Sequence, residues 1–327
     1  MRKIYLLIPI LFLFKVGIFG CGSNPSTQGA NFPPPDSPLE NPSHPQPDPG
    51  TIVRFFTFGD WGTDSLNADQ KNVAALADHV CSYEGCDFGL LLGDNFYPVG
   101  VSDIHDIQWQ TKYRDIYRIY PSLEIPWLIT LGNHDWDAGL SNAQAQVDYD
   151  LSNQDLWWTL PAFYYTKTFP QGSIRPLVQI FVINSNDFKI NTVQQEWLQQ
   201  SLDGSQADWK ILAFHHPIWT NSSSHPADEK MMYPSLKPII CGKVDLLLSG
   251  HDHLFSHLKS VSDLCGYDQL VVGTGGKALY NPISSSPDLI FTDKNFGLGW
   301  IKMSSTKMEF RFYHTDQQVA YTTTWTH

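Results

Sequence analysis

Residues able to hold a metal ion recur in five short segments of this chain. They are Gly59-Asp60-Trp61-Gly62, Gly93-Asp94-Asn95-Phe96-Tyr97, Gly132-Asn133-His134-Asp135, His215-His216-Pro217 and Gly250-His251-Asp252-His253. Carboxylates and a phenolate suit hard cations, whereas imidazole and amide oxygen suit a borderline divalent ion. The segments offer both kinds, enough for two six-coordinate ions with positions left open. Asp94 and Tyr97 are three apart and can face one way on a turn or first helical turn. His251 and His253 are two apart, so an extended backbone puts both rings on the same side. Taken singly, Gly-Asp-Xaa-Gly is an ordinary turn, and Tyr97 an ordinary core or rim aromatic. Five such coincidences in one chain point instead to one metal site.

The elements that must position these donors are legible around them. Each segment follows an apolar run that reads as a buried strand: Val53 to Phe58, Phe88 to Leu92, Trp127 to Leu131, Ile211 to Phe214 and Val244 to Leu248. Helices are expected at Ala68 to Val80, Ile104 to Tyr120 and Val193 to Leu202, with another strand at Leu177 to Asn184. The tail, at Gln269 to Gly273, Gly299 to Ser304 and Met308 to His314, reads as strands with short connections. Alternating βα units followed by strands imply mixed sheets with helices outside.

The 327-residue chain carries a net charge of −12 and no basic run, which argues against nucleic acid as a partner. Affinity for a phosphate must then come from a local positive centre, which a bound metal supplies. At the N-terminus, Arg2 and Lys3 precede a mostly apolar run from Ile4 to Phe19, too short and interrupted for a membrane span. Residues 1–21 therefore read as an export signal. Ile18-Phe19-Gly20-Cys21 resembles a bacterial lipobox, with Phe19 bulkier than that pattern; the alternative is plain secretion. Residues 22–50 are Pro-rich and polar and are expected to form a disordered tether, leaving 51–327 as the catalytic domain. Beyond Cys21 there are four cysteines, which allow three pairings; Cys81 with Cys86 and Cys241 with Cys265 is preferred. The first pair closes a short loop before a motif strand and the second brackets the Gly250 to His253 loop.

The five segments resemble those of the calcineurin-like metallophosphoesterases, and Tyr97 in Gly-Asp-Asn-Phe-Tyr makes the purple acid phosphatases the closest match. Gly59-Asp60-Trp61-Gly62 and the single-domain length resemble the small, tartrate-resistant-like branch. The resemblance implies an α/β fold: a four-layer α/β/β/α sandwich of two mixed β-sheets flanked by helices. It assigns Asp60, Tyr97 and His253 to Fe(III), and Asn133, His215 and His251 to a divalent ion (Fe, Zn or Mn), with Asp94 bridging. It implies hydrolysis of phosphate monoesters at acidic pH, by direct attack of a metal-bound hydroxide on phosphorus. His134 is expected to assist, with Asp135 orienting its imidazole, and His225 is a further pocket histidine. A phosphodiesterase or nucleotide hydrolase with two divalent ions is the alternative. The expected partner is a small phosphorylated substrate, with membrane contact only through a lipid anchor at Cys21. Asp64, Asp137 and His257 match no ligand position. Trp157-Trp158 and Phe163-Tyr164-Tyr165 are expected in the core or a pocket wall, and Asn221-Ser222-Ser223 is a formal glycosylation sequon.

Overall fold

A computed structural model describes residues 50–327, apart from 65, 138, 226–230, 260–264 and 284–287. The expected export signal, the tether up to residue 49 and Cys21 lie outside the described residues.

The apolar runs become strands close to where alternation and β-branched or aromatic content place them. In the first sheet β1 (Val53–Phe58), β2 (Phe88–Leu91) and β3 (Trp127–Ile129) align in parallel, with Phe55 opposite Phe88 and Leu90 opposite Leu128. The short β4 (Trp158–Thr159) extends that row. On the other side of β1, the tail strands β12 (Gly297–Met303), β13 (Lys307–His314) and β14 (Val319–Thr326) add antiparallel. The second sheet repeats the plan. Parallel strands β6 (Val178–Val182), β7 (Trp209–Ala213), β8 (Leu246–Ser249) and β10 (Asp268–Val272) are flanked by antiparallel β5 (Tyr165–Phe169), β9 (Phe255–Lys259) and β11 (Leu289–Asp293). The orders are β14-β13-β12-β1-β2-β3-β4 and β11-β9-β10-β8-β7-β6-β5. Two mixed seven-stranded sheets flanked by helices make the expected sandwich.

Alternation along the strands sends one set of side chains between the sheets and the other outward. Phe88 stacks on Phe169 of the second sheet at 4.0 Å, and Phe255 stacks on Phe312 of the first at 4.4 Å. Outward, Phe56 and Phe58 meet Trp61, Tyr117 and Trp127. On the second sheet, Leu198 of α4 (Thr192–Asp203) and Leu236 of α5 (Tyr233–Ile240) cluster with Leu212 and Leu247. Each buried ring or aliphatic side chain contributes about 1.5–3 kcal/mol, against about 0–1 kcal/mol for an exposed ion pair. Apolar layers therefore hold the strand ends as a rigid platform.

Helix α1 (Ala68–Glu84) starts where Asn67 accepts from the Gln70 N–H at 2.8 Å. The helix expected over Ile104 to Tyr120 is corrected. Only a π-helical turn at Trp109–Arg114 and a single α-turn, α2 (Asp115–Tyr117), form there. Ahead of them, Asp103 and Asp106 accept from the backbone N–H groups of His105, Ser102 and Gln108, and such side-chain caps compete with helix. Helices α3 (Leu140–Leu151) and α5 and strands β4, β5, β9, β11 and β14 were not anticipated. Both preferred cystine pairs form, Cys81–Cys86 and Cys241–Cys265. Asn221 is buried, which closes the sequon to a glycan.

Candidate metal centre

The candidate ligands sit just past the carboxyl ends of parallel strands, the usual place for a site in an α/β sheet. Asp60 follows β1, Asp94 follows β2 and Asn133 follows β3; His215 follows β7, and His251 and His253 follow β8. Three of them leave the strand through left-handed backbone: Asp60 at φ 61°, Asp94 at 52° and His251 at 69°. Such conformations cost about 1–3 kcal/mol each and persist where the surroundings over-determine them. Here the His251 N–H donates to Asp60 Oδ2 at 2.9 Å, and the His134 N–H donates to Asp94 Oδ1 at 2.9 Å. The turn at His251 also corrects the expectation that His251 and His253 share one side of an extended strand. Their rings go to different halves of the site.

In the first half, the Tyr97 hydroxyl lies 2.7 Å from Asp94 Oδ2, 3.1 Å from Asp60 Oδ1 and 3.2 Å from His253 Nε2. In the second, Asn133 Oδ1 lies 3.1 Å from His215 Nε2 and 3.0 Å from His251 Nδ1. Asp94 reaches both, because its other oxygen is 3.3 Å from His215 Nε2. His215 Nδ1 is held by Leu92 O and His253 Nδ1 by Ala278 O, each at 2.8 Å, which leaves both Nε2 atoms facing inward. Gly132 makes room for this: a Cβ there would sit 2.1 Å from Asp94 Oδ1.

These spacings fit a metal pair. Adjacent ligands about 2.1 Å from one six-coordinate ion lie about 3.0 Å apart, the range seen among these donor atoms. Asp60, Asp94 and His253 alone bring ligand atoms within 4.8 Å of one another, all buried. Burial, together with the charges of Asp60 and Asp94, drives the Tyr97 phenol well above its ordinary pKa. A cation bound at the hydroxyl must displace that proton. Burial pushes Asp94 up, but the charge and hydrogen bond of His215 outweigh it and hold the carboxyl well below the usual range. Burial likewise pushes His215 down, and Asp94 more than reverses this, raising it to about 9. An ion bound at His215 Nε2 must displace that proton.

The proposed acid–base residues sit at the rim, and one role is corrected. His134 is about one-third exposed, with Nε2 3.9 Å from Asp94 Oδ2. Its Nδ1 lies 2.7 Å from Pro98 O and 2.8 Å from Asp137 Oδ2. Asp137, set aside in the sequence, therefore holds the ring, and Asp135 does not. The Asp135 carboxylate is buried and accepts from the Gly132 N–H and Gln146 Nε2 at 2.8 Å, and from the Asn95 N–H at 3.1 Å. Asn95 in turn accepts from Trp61 Nε1 at 3.1 Å. One buried polar chain thus links the first three motifs to α3. Burial, with the Asp94 charge, pushes Asp135 up to about 7.

His225 stacks on His251 at 4.1 Å, and its Nδ1 lies 3.3 Å from Asp252, which also accepts from the Thr220 hydroxyl. His216 meets the Ser185 hydroxyl at 2.8 Å and packs 4.5 Å from His251; burial, with His215 and His251 nearby, drives its pKa well below the ordinary value. Sequence reasoning missed Asp252, Lys277 and Tyr280. Asp252 was visible inside His-Asp-His. Tyr280, stacked on His253 at 4.0 Å, and Lys277 lie on a loop with no motif of its own.

The model of the family described as calcineurin-like phosphoesterase matches residues 53–255, which span every ligand above. The chain belongs to that family. This calcineurin-like phosphoesterase is 29% identical over 254 residues to rat (Rattus norvegicus) tartrate-resistant acid phosphatase type 5, covering 69% of this chain and 73% of that one. Among solved structures it resembles GAP50, the anchor in the inner membrane complex of Plasmodium. That likeness has a TM-score of 0.69 and 23% identity, covering 84% of this chain and 89% of the other. A purple acid phosphatase from yellow lupin (Lupinus luteus) seeds superposes with a TM-score of 0.68 and 18% identity, over 84% of this chain and 54% of that one. At such identities the two structures establish the fold alone, and one scaffold serves both an anchor and a phosphatase. What a chain on this scaffold does is set by the residues of its site.

Proposed function

We propose that this protein hydrolyses phosphate monoesters at acidic pH with an Fe(III)/divalent pair. Asp60, Tyr97 and His253 would hold the ferric ion, Asn133, His215 and His251 the divalent one (Fe, Zn or Mn), and Asp94 both. The observation that carries this is the Tyr97 hydroxyl, set 2.7–3.2 Å from two carboxylates and an imidazole. A phenol so placed suits a strongly charged cation, and iron is the ion that the resemblance to the purple acid phosphatases implies. When bound, the pair supplies Lewis acidity toward the phosphoryl oxygens and the attacking water.

The chain's own residues supply orientation and protons. His134 keeps Nδ1 against Pro98 O and Asp137, so Nε2 presents the exchangeable proton to the leaving oxygen. His225, against Asp252, lines the other side. The cystines fit an oxidising compartment, and export, with lipidation at Cys21, belongs to this reading. Palmitate labelling that vanishes in Cys21→Ser tests the anchor. A small phosphorylated substrate is the expected partner.

The deciding experiment is release of phosphate from p-nitrophenyl phosphate by the iron- and zinc-loaded protein between about pH 4 and 9. A visible band that Tyr97→Phe abolishes is expected alongside it. No phosphate at any pH overturns the enzyme reading. A colourless protein that cleaves the diester better instead favours a phosphodiesterase with two divalent ions.

A further inference from the structure

The loop after β10 carries a cation to the face of Tyr97. Lys277 follows Gly273-Thr274-Gly275-Gly276, and its N–H donates to the backbone carbonyl of Asp60 at 3.0 Å. One residue earlier, Gly276 O accepts from Asn67 Nδ2 at 3.3 Å, and a Cβ on Gly276 would sit 2.7 Å from Gln70 Cβ. The loop is therefore pinned between the ligand turn after β1 and the start of α1. From that anchor Lys277 Nζ reaches 4.4 Å from the Tyr97 ring centroid. Among the described residues its ammonium makes no ion pair and no hydrogen bond. The neighbouring Lys112 is engaged elsewhere, donating to Tyr97 O and to Gln108 Oε1. In a chain of net charge −12, with Asp60 and Asp94 so near, an ammonium held over a ring is a specific placement.

We propose that Lys277 is a positioning residue that tunes Tyr97 as a ligand. Its charge stabilises the electron-rich phenolate from the ring face. This rests on the ferric–phenolate reading above. A phenolate spreads part of its charge over the ring, so a cation above the ring lowers the energy of the donor electrons. The visible transition moves one electron from phenolate to iron. The iron would lie beyond the phenolic oxygen, farther from the ammonium than the ring is, so Lys277 stabilises the donor more than the acceptor. Its positive charge therefore raises the transition energy, and removing it lowers that energy. The same removal makes Tyr97 a stronger donor to the oxidised ion, so the reduction potential of the iron falls.

The test compares the full chain, Lys277→Met and Lys277→Arg, each loaded with iron and zinc, by band position and by potentiometric titration. Band position does not depend on how much iron each sample retains. Lys277→Met is expected to absorb at longer wavelength, by on the order of tens of nanometres, and to titrate at lower potential. Lys277→Arg, which keeps the charge, is expected to stay at the wild-type position. Coincident spectra and potentials for wild type and Lys277→Met, or a shift to shorter wavelength, overturn the role of Lys277 and leave the ferric centre intact. A colourless iron-loaded wild type instead removes the ferric–phenolate reading and this inference with it.

Discussion

Asp135→Ala separates two accounts of the third motif. If Asp135 oriented His134, its loss would lower turnover and leave stability alone. The structure instead makes the carboxylate the acceptor for the Gly132 N–H, the Asn95 N–H and Gln146 Nε2, all within 2.8–3.1 Å and sealed from water. Removing it strands three buried donors at about 1–2 kcal/mol each, or roughly 3–6 kcal/mol in all. Relief of the desolvation that raises Asp135 to about 7 offsets part of this, so about 3 kcal/mol is expected. For a domain this size that lowers Tm by about 5 °C. Because Asn95 adjoins Asp94 and Gly132 adjoins Asn133, metal content should fall with it. Asp137→Ala is the companion. Its carboxylate is about half exposed, so the expected stability change is under about 1 kcal/mol, while turnover drops about tenfold with metal retained. Differential scanning calorimetry, elemental analysis and aryl phosphate turnover read these outcomes. If Asp135→Ala kept the wild-type Tm and metal content while losing turnover as His134→Ala does, this assignment would be refuted.

Other substitutions probe separate parts of the design. Gly132→Ala, whose Cβ would lie 2.1 Å from Asp94 Oδ1, is expected to abolish binding of both ions; stoichiometric metal by elemental analysis would contradict the packing at β3. Replacing Cys241 and Cys265 by Ser opens a loop of sequence separation 24 and should cost about 3 kcal/mol in denaturant titration. Burial pushes Asp268 up, but His257 at 2.7 Å and Lys259 at 2.9 Å prevail and hold it below 3.8. A depressed carboxylate contributes stability above its unfolded value and loses it as pH falls through the folded one. Asp268→Asn should therefore cost about 2 kcal/mol at pH 7 and flatten the loss of stability below about pH 4, read by urea titration across pH.

Much of the site was legible because its signal is local. A strand that must end in a sharp turn beside a ligand needs Gly-Asp or Gly-Asn in sequence, and apolar runs ahead of Asp60, Asp94, Asn133 and His215 announce the strands. Near-neighbour pairs such as Asp94 with Tyr97 follow from spacing. The helix expected at Ile104 to Tyr120 failed because Asp103 and Asp106 cap backbone groups in ways that periodicity does not register. Asp135 and Asp137 were exchanged for a similar reason. Both lie within three residues of His134, and only the left-handed exit at Asp94 and the position of α3 decide which one is buried against Asn95 and Gln146.

By itself, the sequence determined the ligand types, their order along the chain, the strands that carry them and the cysteines available for pairing. These properties are set by neighbours a few residues away. Tertiary structure decided that Asp94 faces both halves, that His251 and His253 part company, and that Asp137 serves His134. It also brought Lys277 over Tyr97 and Tyr280 onto His253, from a loop far along the chain. Those contacts join residues separated by many strands, and they exist only because two sheets pack face to face on buried aromatic layers and fix their strand ends together.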